Sequence, residues 1–347
     1  MTSVCITPEK RKRLRAISTS AGIIAALAMD QRKSLRQMIA AAANKRSEEI
    51  PDRQLTEFKA AVTKVLTPSV SAVLLDSEYG LEAVPERAAG CGLLMTYEAD
   101  GYENPRPHRM LALIPRLSAR RLREMGADAV KILLSYAPDD DAGVNDEKCA
   151  WIERIGSECE ALDVPFLLEP VVYDPDGLDP KSLEFAKRKP AAVLQVMAEF
   201  SKPRYKVDVL KVEFPIVAAF VEGSAVYSGQ RAYPMREAMN WYREVDAVAQ
   251  RPYIYLSAGV SISEFIASLE MAAEASARFS GVLCGRANWQ GGVSAYARGG
   301  RDALLQWLAS EGLRNVNAVN EHLKAAVSWE RWFQPVNAGT LAGGTLA

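Results

Sequence analysis

The sequence predicts an α/β protein, specifically a (β/α)8 TIM barrel in a single domain. Two observations predict it: eight short apolar runs recur along the chain, and longer amphipathic segments separate them. Each run is almost continuously apolar, as in parallel strands that helices cover on both faces, and this alternation is the pattern of the barrel. An open, doubly wound sheet is the main alternative, but no GxGxxG follows the first run, which disfavours its dinucleotide-binding form.

The predicted elements follow one another in a regular order. The eight strands are expected at 23–30, 71–76, 91–98, 128–134, 165–170, 207–214, 252–259 and 281–285. Helical spacing and capping signals predict helices at 32–44, 51–67, 117–126, 144–162 and 261–278. Ser118 is the expected N-cap of the third helix, Gly126 its end, and Ser261 or Ser263 the cap of the fifth. Between the sixth and seventh strands, residues 221–250 are expected to form a helix and surface loops.

Composition limits the classes of function. The chain has 347 residues, 49% of them hydrophobic, and a formal net charge of -1, so we expect no nucleic-acid partner. Its apolar runs, such as 23–29, are too short to cross a membrane, and no secretory signal precedes them. Five cysteines without a CxxC predict reduced thiols and a cytoplasmic location. The only histidines, His108 and His322, exclude a zinc site with several histidine ligands, and we expect surface positions for both.

The domain organisation follows from the same pattern. We expect residues 1–335 to form the barrel domain. The uncharged, glycine-rich residues 336–347 are expected to be a flexible tail.

Polar side chains stand near the carboxyl ends of the apolar runs, where barrels hold their chemistry. In chain order they are Asp30, Asp76, Lys131, Glu169, Lys211, Ser257 and Arg286. Strand side chains alternate, so Lys211 lies on the face opposite Leu210 and Val212. Since the Leu and Val face fits the helix layer, we expect Lys211 to point into the barrel, and the same count turns Lys131 and Glu169 inward.

Two inward lysines and a carboxylate predict Schiff-base chemistry on a carbonyl substrate, with no metal or other cofactor. A lysine amine is a nucleophile only when neutral, and burial and a neighbouring cation both lower its pKa. One lysine would be the nucleophile and the other the electrostatic tuner, and Glu169 would move protons if its pKa is raised toward neutrality. Structural ion pairing with Glu169 or Glu213 is the alternative, but two lysines at strand ends favour a functional site.

Two short motifs predict a phosphate site. SAGV at 257–260 and CGRA at 284–287 follow the seventh and eighth strands, where barrels commonly bind phosphate through backbone N–H groups. Gly259 and Gly285 would each fit a simple turn, but together with Arg286 they favour phosphate.

The remaining strand-end carboxylates are less specific. Asp30 either belongs to the site or caps the following helix, or does both. Asp76 and Glu78 are expected only to cap or to shape a turn.

These residues lie in segments that closely resemble the bacterial class I tagatose-1,6-bisphosphate aldolases. The matching segments are AMDQR at 28–32, LLDSEYGL at 74–81, GADAVKILL at 126–134, IERIGSEC at 152–159, VDVLKVEFP at 207–215, RPYIYLSAGV at 251–260 and GVLCGRANW at 281–289. The resemblance covers residues 20–329. It implies a barrel that reversibly cleaves tagatose 1,6-bisphosphate to dihydroxyacetone phosphate and glyceraldehyde 3-phosphate, in the catabolism of lactose and galactose.

The resemblance also assigns roles to single residues. The resemblance implies that Lys211 forms the imine. It places the family's strand-five glutamate at Glu169 and its strand-four lysine at Lys131. The strand-one aspartate and glutamine correspond to Asp30 and Gln31, and the residues that hold a phosphate correspond to Ser257 and Arg286. We expect Gly259 and Gly285 to complete the site for one phosphate. The other phosphate needs a basic residue on a different loop, and Arg32, Lys33 and Arg109 are the candidates.

Two other functions remain open. The segment PVVYDPDG at 170–177 departs from the tagatose family, and EPVV at 169–172 is similar to class I aldolases for 6-deoxy-6-sulfofructose 1-phosphate. A non-catalytic sugar-phosphate sensor is the alternative from another class, which the intact lysines disfavour. We expect a phosphorylated ketose as the substrate, no membrane partner, and a homo-oligomer.

Overall fold

The eight predicted strands form one closed parallel barrel. The structure is a computed structural model, which describes residues 6–99, 101 and 104–333. The barrel strands are β1 (Ile24–Ala28), β2 (Ala72–Leu75), β3 (Gly92–Thr96), β4 (Ala129–Tyr136), β5 (Phe166–Val172), β6 (Val209–Val212), β7 (Tyr253–Leu256) and β8 (Gly281–Cys284). Each pairs with its neighbours along the chain, and β1 pairs with β8 to close the ring. The predicted barrel is confirmed, and the open sheet is wrong.

Helices surround the barrel. They are α1 (Pro8–Ala16), α2 (Lys33–Ala42), α3 (Asp52–Leu66), α4 (Ala119–Glu124), α5 (Ala142–Ala161), α6 (Leu183–Phe200), α7 (Met235–Val248), α8 (Ile262–Glu274), α9 (Arg286–Trp289), α10 (Gly292–Trp307) and α11 (Leu313–His322). All five predicted helices are confirmed, as α2, α3, α4, α5 and α8. The stretch 221–250 holds α7, as predicted, and a short parallel strand pair, Val221–Glu222 with Tyr233–Pro234.

Local sequence explains where these helices begin and end. The Ser118 side chain accepts a hydrogen bond from the Arg121 backbone N–H at 3.2 Å, as expected of an N-cap. Ser261 and Glu264 form a reciprocal capping box at the start of α8. Gly126 follows α4 with φ of 95°, a left-handed conformation that glycine adopts without strain.

The barrel interior changes from apolar to polar along its axis. Ala26, Leu74, Leu167 and other inward side chains fill the end near the strand N-termini. Helix α1 and residues 328–333 pack against the same cluster and close that end. At the other end, the strand carboxyl termini surround a polar cavity. Outward side chains such as Leu210 pack under the helices, so the predicted alternation is confirmed.

Other predictions concern the cysteines, membrane crossing and the tail. Cys91, Cys149, Cys159 and Cys284 are free and buried, while Cys5 lies outside the described residues. None of the helices in the described ranges is long and apolar enough to span a membrane. The tail predicted at 336–347 also lies outside the described residues, so the domain boundary at 335 stays a prediction.

Candidate active site

A cavity of about 300 Å³ opens at the carboxyl ends of the barrel strands. A volume of this size suits a small-molecule ligand. The nine predicted site residues all line it: Asp30, Gln31, Lys131, Glu169, Lys211, Ser257, Gly259, Gly285 and Arg286. The structure thus brings these nine residues together, whereas Asp76, the remaining residue of the strand-end pattern, does not line the cavity.

Lys131 is the central cation of the cavity. Its ammonium group lies 2.6 Å from Glu169, 2.8 Å from Glu98 and 3.2 Å from Asp30, and the residue is only 1% exposed. Burial alone would lower the Lys131 pKa, but the attraction of Glu169, Glu98 and Asp30 raises it above its usual range. Lys131 is therefore charged at neutral pH, as an electrostatic tuner has to be.

Glu169 joins the two lysines. One of its carboxylate oxygens lies 2.6 Å from the Lys131 Nζ atom and the other lies 2.8 Å from the Lys211 Nζ atom. Burial alone would raise the Glu169 pKa, but the charges of Lys131 and Lys211 lower it. Its pKa is thus lowered rather than raised toward neutrality, and Glu169 is an ionised proton acceptor.

Lys211 reaches this carboxylate from β6. It is 4% exposed and lines the cavity, as its predicted inward direction requires. Glu213, two residues later, lies beyond the end of β6 and pairs with Lys189 of α6 at 3.0 Å. Glu213 therefore partners neither of the two cavity lysines, and the alternative that assigned it to them is wrong.

Asp30 belongs to the cavity and not to a helix cap. The N-cap position of α2 is Arg32, which makes no side-chain capping bond, so the predicted capping role of Asp30 is wrong. Burial alone would raise the Asp30 pKa, but Lys131, Lys211 and Lys59 lower it to about 2. The Gln31 side-chain amide donates to Asp30 at 3.1 Å, and its buried oxygen accepts no hydrogen bond from the described residues.

The predicted phosphate residues meet beside β7 and β8. The Ser257 hydroxyl accepts a hydrogen bond from the Gly285 backbone N–H at 3.3 Å. Gly259 has φ of 76°, and a Cβ atom there would lie 2.5 Å from the guanidinium carbon of Arg286. Only glycine therefore lets the Arg286 side chain lie against this turn.

The candidates for a second phosphate separate into two groups. Arg32 and Lys33 line the cavity at the start of α2. Arg109 does not line it and lies instead over the ring of Tyr173, 4.9 Å from the ring centroid.

Three charged residues in or behind the cavity wall were not predicted from the sequence: Glu98 and Arg36, which line the cavity, and Lys59 behind it. Glu98 follows β3 and pairs with Lys131. It was the last residue of the strand predicted at 91–98, so its position at a strand end was the available signal. Lys59 lies in the apolar face of α3, four residues after Leu55 and three before Val62. A lysine among the apolar residues of an amphipathic helix indicates a buried charge with a partner, and this signal was available in the sequence.

The other polar residues have structural roles. Asp76 accepts hydrogen bonds from the backbone N–H groups of Glu78 and Tyr79, which confirms the predicted turn. His108 is exposed beside Asp140, and His322 is half-buried beside Glu270. No group of three or more His, Cys, Asp or Glu side chains in the described ranges is arranged to hold a metal ion.

Comparison with known proteins identifies relatives along nearly the whole chain. The tagatose 1,6-diphosphate aldolase of Listeria monocytogenes serotype 4a is 45% identical over 327 residues, which cover 94% of this chain and 95% of that protein. Tagatose 1,6-diphosphate aldolase 2 of Enterococcus faecalis is 47% identical over 335 residues, 96% of this chain and 99% of the relative. The enzyme of that type from Staphylococcus aureus strain JH9 is 45% identical over 324 residues, 93% and 98% of the two chains.

A solved structure and a family model agree with these relatives. Fructose-bisphosphate aldolase from Plasmodium falciparum, solved in complex with TRAP and an inhibitor, superposes with a TM-score of 0.66 over 94% of this chain and 99% of that one. At 14% identity, this similarity concerns the fold alone. The model of the DeoC/LacD family aldolases matches residues 24–291, which include all eight strands and every cavity residue named above. The chain therefore belongs to the DeoC/LacD family of aldolases.

Proposed function

We propose that the protein is a class I aldolase that reversibly cleaves D-tagatose 1,6-bisphosphate to dihydroxyacetone phosphate and D-glyceraldehyde 3-phosphate. Relatives at 45% and 47% identity are named as aldolases of this sugar. The observation that carries the chemistry is the ionised Glu169 carboxylate, which lies between the Lys211 and Lys131 ammonium groups at 2.8 and 2.6 Å.

Lys211 is the nucleophile in this proposal. Its proton passes to Glu169, 2.8 Å away, which leaves a neutral amine in the cavity. The amine attacks the C2 ketone, and the resulting carbinolamine loses water when Glu169 returns a proton to the leaving hydroxyl. Lys131 remains charged throughout and disfavours a second ammonium beside it.

The protonated imine is the electron sink for cleavage. A carboxylate, Glu169 in preference to Asp30, takes the proton of the C4 hydroxyl while the C3–C4 electron pair moves toward the imine nitrogen. Glyceraldehyde 3-phosphate leaves, and C3 of the enamine takes up a proton. Water then hydrolyses the imine, releases dihydroxyacetone phosphate and restores Lys211.

In this proposal, different loops of the cavity hold the two phosphates. Arg286, the Ser257 hydroxyl and the turns at Gly259 and Gly285 hold the phosphate of C1. Arg32 and Lys33, which line the cavity after β1, supply positive charge for the phosphate of C6. The buried Gln31 oxygen is an acceptor for a hydroxyl of the sugar.

Turnover of the two sugar phosphates tests the proposal. We expect cleavage of D-tagatose 1,6-bisphosphate to exceed that of 6-deoxy-6-sulfofructose 1-phosphate, because the matched relatives act by name on the first sugar. The opposite ranking would assign the chain to the sulfonated sugar, which EPVV at 169–172 favours. Failure to cleave either sugar would support a sensor.

Borohydride trapping tests the nucleophile. Reduction in the presence of substrate should attach the ketone fragment to Lys211, where peptide mass spectrometry locates it, and Lys211→Met should abolish the adduct and cleavage. Lys189→Met is the matched control, because Lys189 is also a buried lysine paired with a glutamate but lies outside the cavity. A chelator should leave cleavage unchanged, and an adduct on another lysine would contradict the assignment.

Assembly and location are further proposals. We expect a homo-oligomer in the cytoplasm. Size-exclusion chromatography with light scattering tests the first statement, and a monomer at enzyme-assay concentration would contradict it.

A further inference from the structure

Lys59 is a fully buried lysine behind the wall of the cavity. It extends from α3 and lies among the apolar side chains of that helix. Its ammonium group donates to the Met29 carbonyl at 2.7 Å, to the Gln31 carbonyl at 2.7 Å and to the Asp76 carboxylate at 2.6 Å. The proposed mechanism uses neither Lys59 nor Asp76.

We propose that Lys59 is a positioning residue that fixes Asp30 and Gln31 in the cavity. The inference rests on the proposed function, since it assumes that Asp30 holds Lys131, the cation of that mechanism, and that Gln31 binds a hydroxyl of the sugar. Lys59 itself does not line the cavity.

The backbone on both sides of Asp30 depends on side chains for its hydrogen bonds. Residues 29–31 leave β1 without regular secondary structure, so their carbonyl groups lack strand or helix partners. Lys59 binds the carbonyls on both sides of Asp30, and the Trp289 indole binds the preceding one, of Ala28, at 2.9 Å. Three hydrogen bonds, donated by the buried side chains of Lys59 and Trp289, thus fix the peptide units that direct the Asp30 side chain toward Lys131.

Asp76 extends this support to the next loop. One of its oxygens binds Lys59, and the other accepts the backbone N–H groups of Glu78 and Tyr79 at 2.9 and 2.8 Å. Glu78 and Tyr79 line the same cavity as Asp30. A single ion pair therefore connects the loops after β1 and β2.

The cost of burying charge favours a positional role. Removing two ions from water costs several kcal/mol, and apolar residues often stabilise a fold as well as a buried ion pair does. Lys59 and Asp76 are both 0% exposed, and the Lys59 charge also contributes to the low pKa of Asp30. The pair gives the site directional bonds that an apolar pair lacks.

A matched pair of double variants tests the inference. Lys59→Met/Asp76→Asn removes both charges, so that no buried ion is left unpaired. Lys10→Met/Asp208→Asn does the same to a buried pair with a 2.7 Å contact at the closed end of the barrel. Like Asp76, Asp208 also accepts a backbone N–H, from Phe166.

The expected difference lies in turnover. Lys59→Met/Asp76→Asn should lower kcat by about 10- to 100-fold, the usual effect of a displaced catalytic group, and should raise KM because the Gln31 oxygen moves away from the sugar hydroxyl. The Lys10 and Asp208 variant should lose stability and keep kcat. In an Asp30→Asn background, the Lys59 and Asp76 changes should reduce kcat little further, because their effect on kcat passes through Asp30.

Several results would overturn the inference. An unchanged kcat in the double variant would overturn it. A loss of kcat that adds fully to the loss caused by Asp30→Asn would also overturn it. Both results would leave the proposed function intact. If the double variant does not fold, Lys59→Gln, which keeps one donor group, should give an intermediate kcat, and a wild-type kcat would count against the inference.

If the wild type cleaves neither sugar, the proposed function fails, and crystal structures then test the inference separately. In the wild type, the Asp30 carboxylate lies 3.2 Å from the Lys131 Nζ atom. The same distance in the Lys59→Met/Asp76→Asn variant would refute the inference. A displaced carboxylate would support it.

Discussion

At the scale of single residues, charge balance governs the cavity. The Lys131 ammonium contacts three carboxylates, those of Asp30, Glu98 and Glu169. Burial raises the pKa of Glu98, whereas the pKa values of Asp30 and Glu169 are lowered by the lysines. The buried lysines, with Lys131 as the largest contributor, thus keep two of the three acids ionised.

Lys131→Met should impair catalysis most at acidic pH. Without this cation the Glu169 pKa rises, so Glu169 becomes protonated at a higher pH and stops accepting protons there. We expect kcat to fall by about 100- to 10,000-fold at neutral pH and its acidic limb to move upward. The pH profile of kcat measures both. An acidic limb at the wild-type position would contradict this account, and Lys189→Met should leave the profile unchanged.

Gly259→Ala should weaken substrate binding through Arg286. The new Cβ atom would lie 2.5 Å from the guanidinium carbon, so the Arg286 side chain has to move. We expect KM to rise about 10-fold, as for one lost charge-assisted hydrogen bond. Gly90→Ala is the control, because Gly90 also has positive φ, 83°, but nothing lies within 4 Å of its Cβ position. An equal KM in both variants would refute the role of Arg286.

Much of the site could be predicted because strand residues alternate with a fixed period. Lys131, Glu169 and Lys211 all face inward, as counted from the sequence. Glu98 and Lys59 escaped that count for different reasons. Glu98 lies beyond the last residue of β3, Thr96, and the Lys59 contacts join α3 to a loop far away in the sequence.

At the scale of elements, a polar cluster joins three loops beside the cavity. The Tyr173 hydroxyl, just after β5, accepts a hydrogen bond from Lys148 at 3.0 Å and contacts both Asp140 and the His108 carbonyl. His108 lies between β3 and α4, and Asp140 lies between β4 and α5. Tyr173 belongs to the segment PVVYDPDG that departs from the tagatose family.

Tyr173→Phe should loosen the loop after β3. It removes the hydroxyl that contacts Lys148, Asp140 and the His108 carbonyl, and leaves Lys148 buried with a 3.9 Å contact to Asp140. We expect amide hydrogen exchange in residues 104–114 to become about 10-fold faster, which corresponds to about 1.4 kcal/mol of local stability. Tyr242→Phe is the control, because it removes a buried hydroxyl that donates to the Ser268 carbonyl at 3.0 Å, away from this loop. Exchange in residues 104–114 should be unchanged in that variant. Equal exchange in both variants would contradict the expectation.

The elements differ in how well their sequences predict them. Apolar runs and caps such as Ser118 and Ser261 are local signals, and the strands and helices that depend on them were predicted. Helix α6 was missed although Ser182 caps it, because Pro190 interrupts its interior and the segment before it is rich in Asp and Pro. The short strand pair at 221–222 and 233–234 depends on contacts between distant residues.

At the scale of the whole molecule, the two ends of the barrel have different tasks. One end holds the polar cavity, and the other is closed by α1 and residues 328–333. Trp329, which is fully buried, packs against Phe333 and donates its indole N–H to Ser18 at 2.9 Å. Stability and chemistry are thereby separated along the barrel axis.

Trp329→Ala should destabilise the fold without changing the site. Loss of a buried tryptophan costs about 3–5 kcal/mol, because the cavity it leaves is only partly refilled. The free energy of unfolding in urea should fall by that amount, while KM for the sugar phosphate stays at the wild-type value at temperatures where the variant is folded. A raised KM would mean that the two ends are coupled.

The closed end also restricts how molecules travel. Because apolar side chains, α1 and residues 328–333 block the far side, ligands enter and depart at the carboxyl ends of the strands, where the described residues leave the cavity open. The ketone fragment is still bonded to Lys211 when the aldehyde forms, so the aldehyde leaves before C3 is protonated and water hydrolyses the imine. Release of products is therefore sequential, and added aldehyde should slow turnover because it adds back to the enamine before C3 takes up a proton.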